Sequence, residues 1–156
     1  MTRLLPMTPG EFPAFMDRLV REYAADHVRG GRWTEKESLG EARRETDRLL
    51  PKGVETPNHY LFSIHDDAGG APIGAIWLGP SESPQRGFVF DLWIAEPFRR
   101  KGHARAAMLA LERLARDRGF DSLGLHVFAH NAGAIRLYEE LGYHPTNIVM
   151  AKPLPP

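Results

Sequence analysis

The residues best placed to do chemistry lie in a short turn, Arg99-Arg100-Lys101-Gly102-His103-Ala104, between an apolar run and an amphipathic stretch. An apolar strand that breaks into a glycine-bearing turn and then enters a helix makes a site for an anion. The first N–H groups of a helix have no acceptor inside it. The helix dipole adds about half a positive charge at that end, so a phosphate is well placed there. Gly102 removes the Cβ that would hold a ligand off the main chain. Arg99, Arg100, Lys101 and Arg105 gather cationic side chains around the same point. Asp91 is the one charge inside the apolar run Phe88-Val89-Phe90-Asp91-Leu92-Trp93-Ile94, and a charge there is costly unless paired or hydrated. Asn131 and Tyr138 are seven residues apart. On a helix that is about two turns, so both share one face.

The elements that must position these residues follow in chain order. Thr8, Pro9 and Glu11 form a helix start with a capping box. Phe12, Phe15, Met16, Leu19, Val20 and Tyr23 recur at helical spacing until Gly30-Gly31. Thr34 and Glu37 open a second helix with the stripe Leu39, Ala42, Thr46, Leu49 and Leu50, stopped by Pro51 and Gly53. Its heavy charge places it on the surface or over a cleft. From His59 the period changes to that of strands. Residues 59–64 and 73–78 form a hairpin around the turn at 66–70. Gly87 to Ile94 is a third strand, apolar on both faces except Asp91, which predicts a doubly covered position. Ala104, Ala107, Met108, Leu111, Leu114 and Ala115 make a helix that Gly119 closes. Asp121 to Phe128 is a strand, parallel to the preceding one across the helical crossover. Asn131 caps a short helix that ends at Leu141 and Gly142. Tyr143 to Ala151 reads as a last strand. The fold class is α/β, a mixed antiparallel and parallel sheet with helices on both faces.

Length and charge bound the rest. A chain of 156 residues fits one domain, 1–156, with one core. Zero net charge argues against nucleic acid or an anionic membrane surface as the main partner. With no cysteine there is no disulfide, thiolate nucleophile or metal–thiolate site, and no other metal site suggests itself. The opening Met-Thr-Arg-Leu-Leu-Pro lacks the apolar run of a secretory leader. No apolar stretch reaches the roughly 18 residues of a membrane helix. The expectation is a soluble cytoplasmic protein.

Three separated features coincide: the strand ending Asp91-Leu92-Trp93-Ile94, the turn Arg99-x-x-Gly102-x-Ala104, and Asn131-x-x-Ala134-x-x-x-Tyr138 followed by Gly142-Tyr143. Together they resemble the GCN5-related N-acetyltransferase (GNAT) superfamily, most densely over residues 87–143. The resemblance implies acetyl-CoA as co-substrate, with acetyl transfer to an amine by direct attack in a ternary complex. It implies that the strands on either side of the crossover helix part to admit the pantetheine arm beside Leu92, Trp93 and Ile94. The diphosphate would lie on the amides from Arg100 through Lys101, Gly102 and His103 to Ala104, with Arg99 as a counter-charge and Asn131 touching the coenzyme. Tyr138 stands where the family's general acid stands and would protonate the departing thiolate. Many members dimerise through the sheet edge or the terminal strand.

Each residue also has a plainer reading. Asp91 is either a base lining the acceptor cleft or the partner of an arginine. His126 and His130 are either bases or structural, and Tyr138 could be a core aromatic. His103 replaces a small apolar residue, which loosens the turn or adds a contact to phosphate. Tyr23 and His27 could face the acceptor, a small molecule or a peptide amine. The competing function is a coenzyme-binding sensor or interaction module without turnover.

Overall fold

The computed structural model describes residues 1–156. Its elements are β1 (Arg3–Pro6), α1 (Phe12–Arg29), α2 (Glu35–Leu49), β2 (Tyr60–His65), β3 (Gly74–Pro80), β4 (Arg86–Ile94), α3 (His103–Asp117), β5 (Ser122–Leu125) and α4 (Ala132–Glu140). One five-stranded sheet runs in the order β1-β2-β3-β4-β5. The first three pairings are antiparallel, and β4 with β5 is parallel.

Alternation along the strands divides the core into two layers. Phe62, Ile64, Ile76 and Leu78 meet Ala107, Met108, Leu111 and Ala115 of α3 on one face. Leu61, Ala75 and Trp77 meet Phe15, Met16 and Leu19 of α1 on the other. The mixed sheet with helices on both faces is therefore present. The doubly covered strand, however, is β3, buried from Gly74 to Gly79. Residues Phe90 to Trp93 of β4 are only half-buried, because β4 flanks an opening described below.

Both helix starts use the residues their sequence signals name. Thr8 and Glu11 exchange the reciprocal bonds of a capping box, at 2.9 and 3.2 Å. The regular helix begins only at Phe12, with Pro13 in its first turn. Thr34 caps α2. Of the expected α2 stripe, Ala42 and Thr46 are buried, but Leu39 is 55 % exposed. Sequence reading misses β1, whose four residues are too few to show a period. It also overextends two strands. β5 stops at Leu125, and Tyr143 to Ala151 forms no strand at all.

Gly74 is where β3 and β4 are tightest. A Cβ there would come within 2.2 Å of the Trp93 carbonyl oxygen, so the strands close up only because none is present. Gly74→Ala should force them apart and lower stability by about 1–3 kcal/mol, read as a lower urea midpoint; an unchanged midpoint would show that the strands yield freely.

Candidate active site

β4 pairs with β3 from Gly87, opposite Pro80, to Ile94, opposite Gly74. Its pairing with β5 ends at Val89 opposite Leu125. The change coincides with a bulge. Trp77 faces Asp91 and Leu78 faces Val89, which leaves Phe90 as the extra residue on β4. A bulge bends its strand and sharpens the twist, and here it turns β4 away from β5. The β5-facing main chain from Phe90 to Ile94 is left without a strand partner.

The turn to α3 stands at the end of this gap. Arg100 has a φ of 60° and Gly102 a φ of 85°, both left-handed. Open space surrounds the position where a Gly102 Cβ would sit. No side chain caps α3, and the amides of Arg100 to Arg105 find no main-chain acceptor. The Arg99 Nε donates to the Ile94 carbonyl oxygen at 2.7 Å, tying the turn to the end of β4. His103 Nδ1 lies 2.9 Å from the Thr2 hydroxyl, so its ring is tethered to the N-terminal segment while its amide faces the turn. The Lys101 ammonium is over the Phe98 ring, 5.9 Å from its centroid, and Lys101 does not line the cavity.

Two cavities meet at β4. The smaller, about 460 Å³, is walled by the turn, with Arg100, Gly102, His103, Ala104 and Arg105, and by α4. The larger, about 870 Å³, opens under α1 and α2. Leu92, Ile94, Arg99, Ala134 and Tyr138 border both, whereas Trp93 and Asn131 border only the larger. Asn131 caps α4, its Oδ1 accepting from the Ala134 amide at 3.3 Å. That cap sets the helix face carrying Tyr138. Burial, aided by the negative charge of Asp91, pushes the Tyr138 phenol up to about 12, so at neutral pH it is a proton donor.

Of the two readings of Asp91, the structure realises the arginine pair. Arg18 of α1 donates from both terminal nitrogens, at 3.1 and 2.7 Å, to the two carboxylate oxygens. Arg18 also bonds Glu22 at 3.1 Å, and its guanidinium lies 4.7 Å from the Trp93 ring centroid. Both carboxylate oxygens of Asp91 are thus engaged by one guanidinium, while the residue also lines the larger cavity.

The far wall of the larger cavity is polar and aromatic. Glu45 of α2 accepts from the Tyr23 hydroxyl at 2.9 Å and from Arg32 at 2.6 Å. Burial raises the Glu45 carboxyl, but those bonds outweigh it and hold it below the usual carboxylate value. His27 lies among Tyr23, Trp33 and Phe128. Burial, and then the Arg32 charge, lower its imidazole, which keeps it neutral at pH 7. His126 borders the same cavity. His130 does not; its Nε2 is 2.9 Å from Asp26, in a contact that fixes the 126–130 loop to α1.

Comparison with known proteins bears on this arrangement. The description of the Acetyltransferase (GNAT) family fits residues 16–143. The chain belongs to this family. Two Bacillus subtilis (strain 168) proteins, each named an uncharacterized N-acetyltransferase, are similar over nearly their full length. YycN is 37% identical over 153 residues, 97% of each chain. YdgE is 38% identical over 150 residues, 95% of each. The crystal structure of YycN, described as a putative acetyltransferase, aligns over 100% of both chains with a TM-score of 0.94 at 36% identity. AAC(6')-Iy, solved with the bisubstrate analog CoA-S-monomethyl-acetylneamine, shares the fold over 99% of each chain, with a TM-score of 0.63 at 14% identity.

GNAT enzymes use acetyl-CoA, and the residues present suit that co-substrate. A run of free amides at a positive helix end matches a diphosphate, and the unpaired edge of β4 offers main-chain partners to an amide-bearing arm. Sequence reasoning missed Arg18, Glu22, Glu45 and Arg32. Arg18, Glu22 and Glu45 look like ordinary solvated charges on their helices, and Arg32 like a loop charge between them; only the packing of α1 and α2 over β4 brings them around one cavity. If Arg18 neutralises Asp91, Arg18→Met should cost about 3 kcal/mol by stranding a carboxylate. Arg18→Met combined with Asp91→Leu should recover most of that loss in urea denaturation. Additive losses would mean that the two groups do not interact.

Proposed function

We propose that this acetyltransferase moves an acetyl group from acetyl-CoA to a small cationic amine, with both substrates bound at once. The observation that carries the reading is the position of Tyr138. Tyr138 borders both cavities, half-buried and protonated, within reach of the Asp91 charge. In the reaction the amine nitrogen bonds to the acetyl carbon and the carbon–sulfur bond breaks. Tyr138 gives its proton to the departing sulfur. Acetyl-CoA supplies the activated acyl group, and the chain supplies orientation and proton management. Leu92, Trp93 and Ile94 present main chain to the arm of the coenzyme, and the amides of Arg100 to Ala104 take the diphosphate. Arg99 and Arg105 add charge beside them. Lys101 contributes through its amide alone.

The acceptor side is acidic. Glu22, Asp26, Glu45 and Asp91 line the larger cavity, opposed by Arg32 there and by Arg18 beneath Asp91. With Arg99 at the border to the smaller cavity counted as well, carboxylates still outnumber guanidinium groups by one, a balance that draws in a positively charged molecule. Aromatic walls from Tyr23, Trp77, Phe90 and Phe128 favour an acceptor with an apolar or ring-shaped body. An alkylamine has a pKa of about 10.4 and must lose a proton before attack. The neutral imidazole of His27 is an acceptor for it, through water. Neighbours of the same fold include aminoglycoside acetyltransferases, one solved with sisomicin, which agrees with a small polyamine-like acceptor.

Tyr138→Phe should lower kcat by about 100-fold, with the acetyl-CoA affinity from calorimetry nearly unchanged. Unaltered turnover would remove Tyr138 as the acid. Glu45→Gln should raise KM for cationic amines several-fold and leave the KM for acetyl-CoA alone; equal rises for both would instead indicate a general loss of structure.

A further inference from the structure

Trp77 is 2% exposed, and a buried indole N–H needs a hydrogen-bond acceptor. His59 provides it, its Nδ1 taking the bond at 2.9 Å. An indole nitrogen can only donate, so Nδ1 is the unprotonated nitrogen of the imidazole. Burial lowers the His59 imidazole, which keeps that nitrogen free at neutral pH. The main chain fixes the residue as well. Asn58, with a φ of 65°, turns the chain into β2. The His59 amide donates to the Thr56 carbonyl oxygen at 3.3 Å. His59 itself is half-buried and lines neither cavity.

The sheet leaves room for this ring. Leu61 pairs with Trp77 and Tyr60 with Leu78, so His59 stands across from Gly79. A Cβ on Gly79 would come within 2.5 Å of His59 Nδ1 and 2.7 Å of Phe90 Cε2. Both rings therefore occupy space that only a glycine leaves open. The Phe90 ring stacks on Trp77, with 4.5 Å between centroids and 20° between planes. It also lies 5.6 Å from the His59 ring. Trp77, Phe88 and Phe90 all line the larger cavity, and Phe88 meets Phe90 edge-on at 4.8 Å. An indole held by its bond to His59 is thus the base of an aromatic wall of that cavity.

We propose that His59 is a positioning residue for the amine substrate: by accepting from Trp77 it holds the Trp77–Phe90 stack in one orientation, as the surface on which a ring carried by the amine packs. Without that bond the buried indole N–H loses its partner, which is costly. Turning the indole so that its N–H meets water in the cavity recovers a bond but breaks the stack. His59 touches no substrate and moves no proton. Its effect falls on amines that carry a ring, because only they use the wall. A plain alkylamine held by the carboxylates does not. The role rests on the reading of the larger cavity as the site of the amine.

The test titrates the full chain, saturated with coenzyme A, with phenethylammonium or butylammonium, reading binding from the indole N–H signals by NMR. His59→Phe keeps a ring and removes the hydrogen-bond acceptor. His59→Asn removes the ring and keeps an oxygen near the place of Nδ1. Circular dichroism checks that each variant is folded. His59→Phe should weaken phenethylammonium about tenfold, the scale of one aromatic contact, and leave the affinities for butylammonium and acetyl-CoA unchanged. His59→Asn should restore most of the loss. In a Trp77→Phe background, which has no indole to satisfy, His59→Phe should have no further effect. That comparison decides the matter if His59→Phe alone does not fold. Unweakened phenethylammonium binding by His59→Phe overturns the assignment. So do equal losses for both amines, no rescue by asparagine, or a further loss in the Trp77→Phe background. All of these leave the larger cavity as the amine site. If the wild-type chain binds neither amine, that reading fails and the role of His59 fails with it.

Discussion

The parting of β4 from β5 is the constraint on which the site depends. A parallel pair that stayed zipped would satisfy its main chain internally and leave nothing for a coenzyme to hold. Here the ladder stops at Val89 and Leu125 while β4 runs on to Ile94, still anchored to β3. The Phe90 bulge provides the bend, and the absent side chain at Gly74 lets β3 grip the far end of β4 closely. Arg99 then joins the strand end to the turn through the Ile94 carbonyl. Unpaired strand edge and unpaired helix amides thus lie in one continuous track.

Electrostatics divides that track into two ends. Around the turn, the start of α3 with Arg100 and Arg105 is positive and suits phosphates. On the other side of β4, carboxylates from α1, α2 and β4 outnumber guanidinium groups. Asp91 lies between them, and its bidentate pairing with Arg18 offsets the cost of a charge in a strand. The pair also docks α1 on the sheet beside Trp93, so the wall of the acceptor cavity and the charge within reach of Tyr138 are set by one contact. Tyr138 remains a proton donor because burial and that charge disfavour its phenolate.

Much of this was legible in the residues. The turn, the cap at Asn131 and the register of Tyr138 are local features, written within a few positions of one another, and the alternating strands announce themselves by period. What was hidden depends on contacts between distant segments. Arg18 and Glu22 look solvent-facing on α1 until β4 is packed against them, and Glu45 gains its role only from Tyr23 and Arg32. Residues 143–151 read as a last strand on the run Ile148-Val149-Met150, but the structure forms none there, since three apolar residues in a row carry too little pattern to decide between strand and irregular chain. Lys101 looks like a phosphate ligand by sequence, but its side chain turns to Phe98.

The central claim is that main-chain groups of the β4 edge and of the turn before α3 hold acetyl-CoA. Amide hydrogen exchange with and without the coenzyme measures this directly. Binding should slow exchange at Asp91 to Ile94 and at Arg100 to Arg105, and leave β1 and β2 unchanged. Protection confined to other segments, or none at saturating coenzyme, would contradict the account.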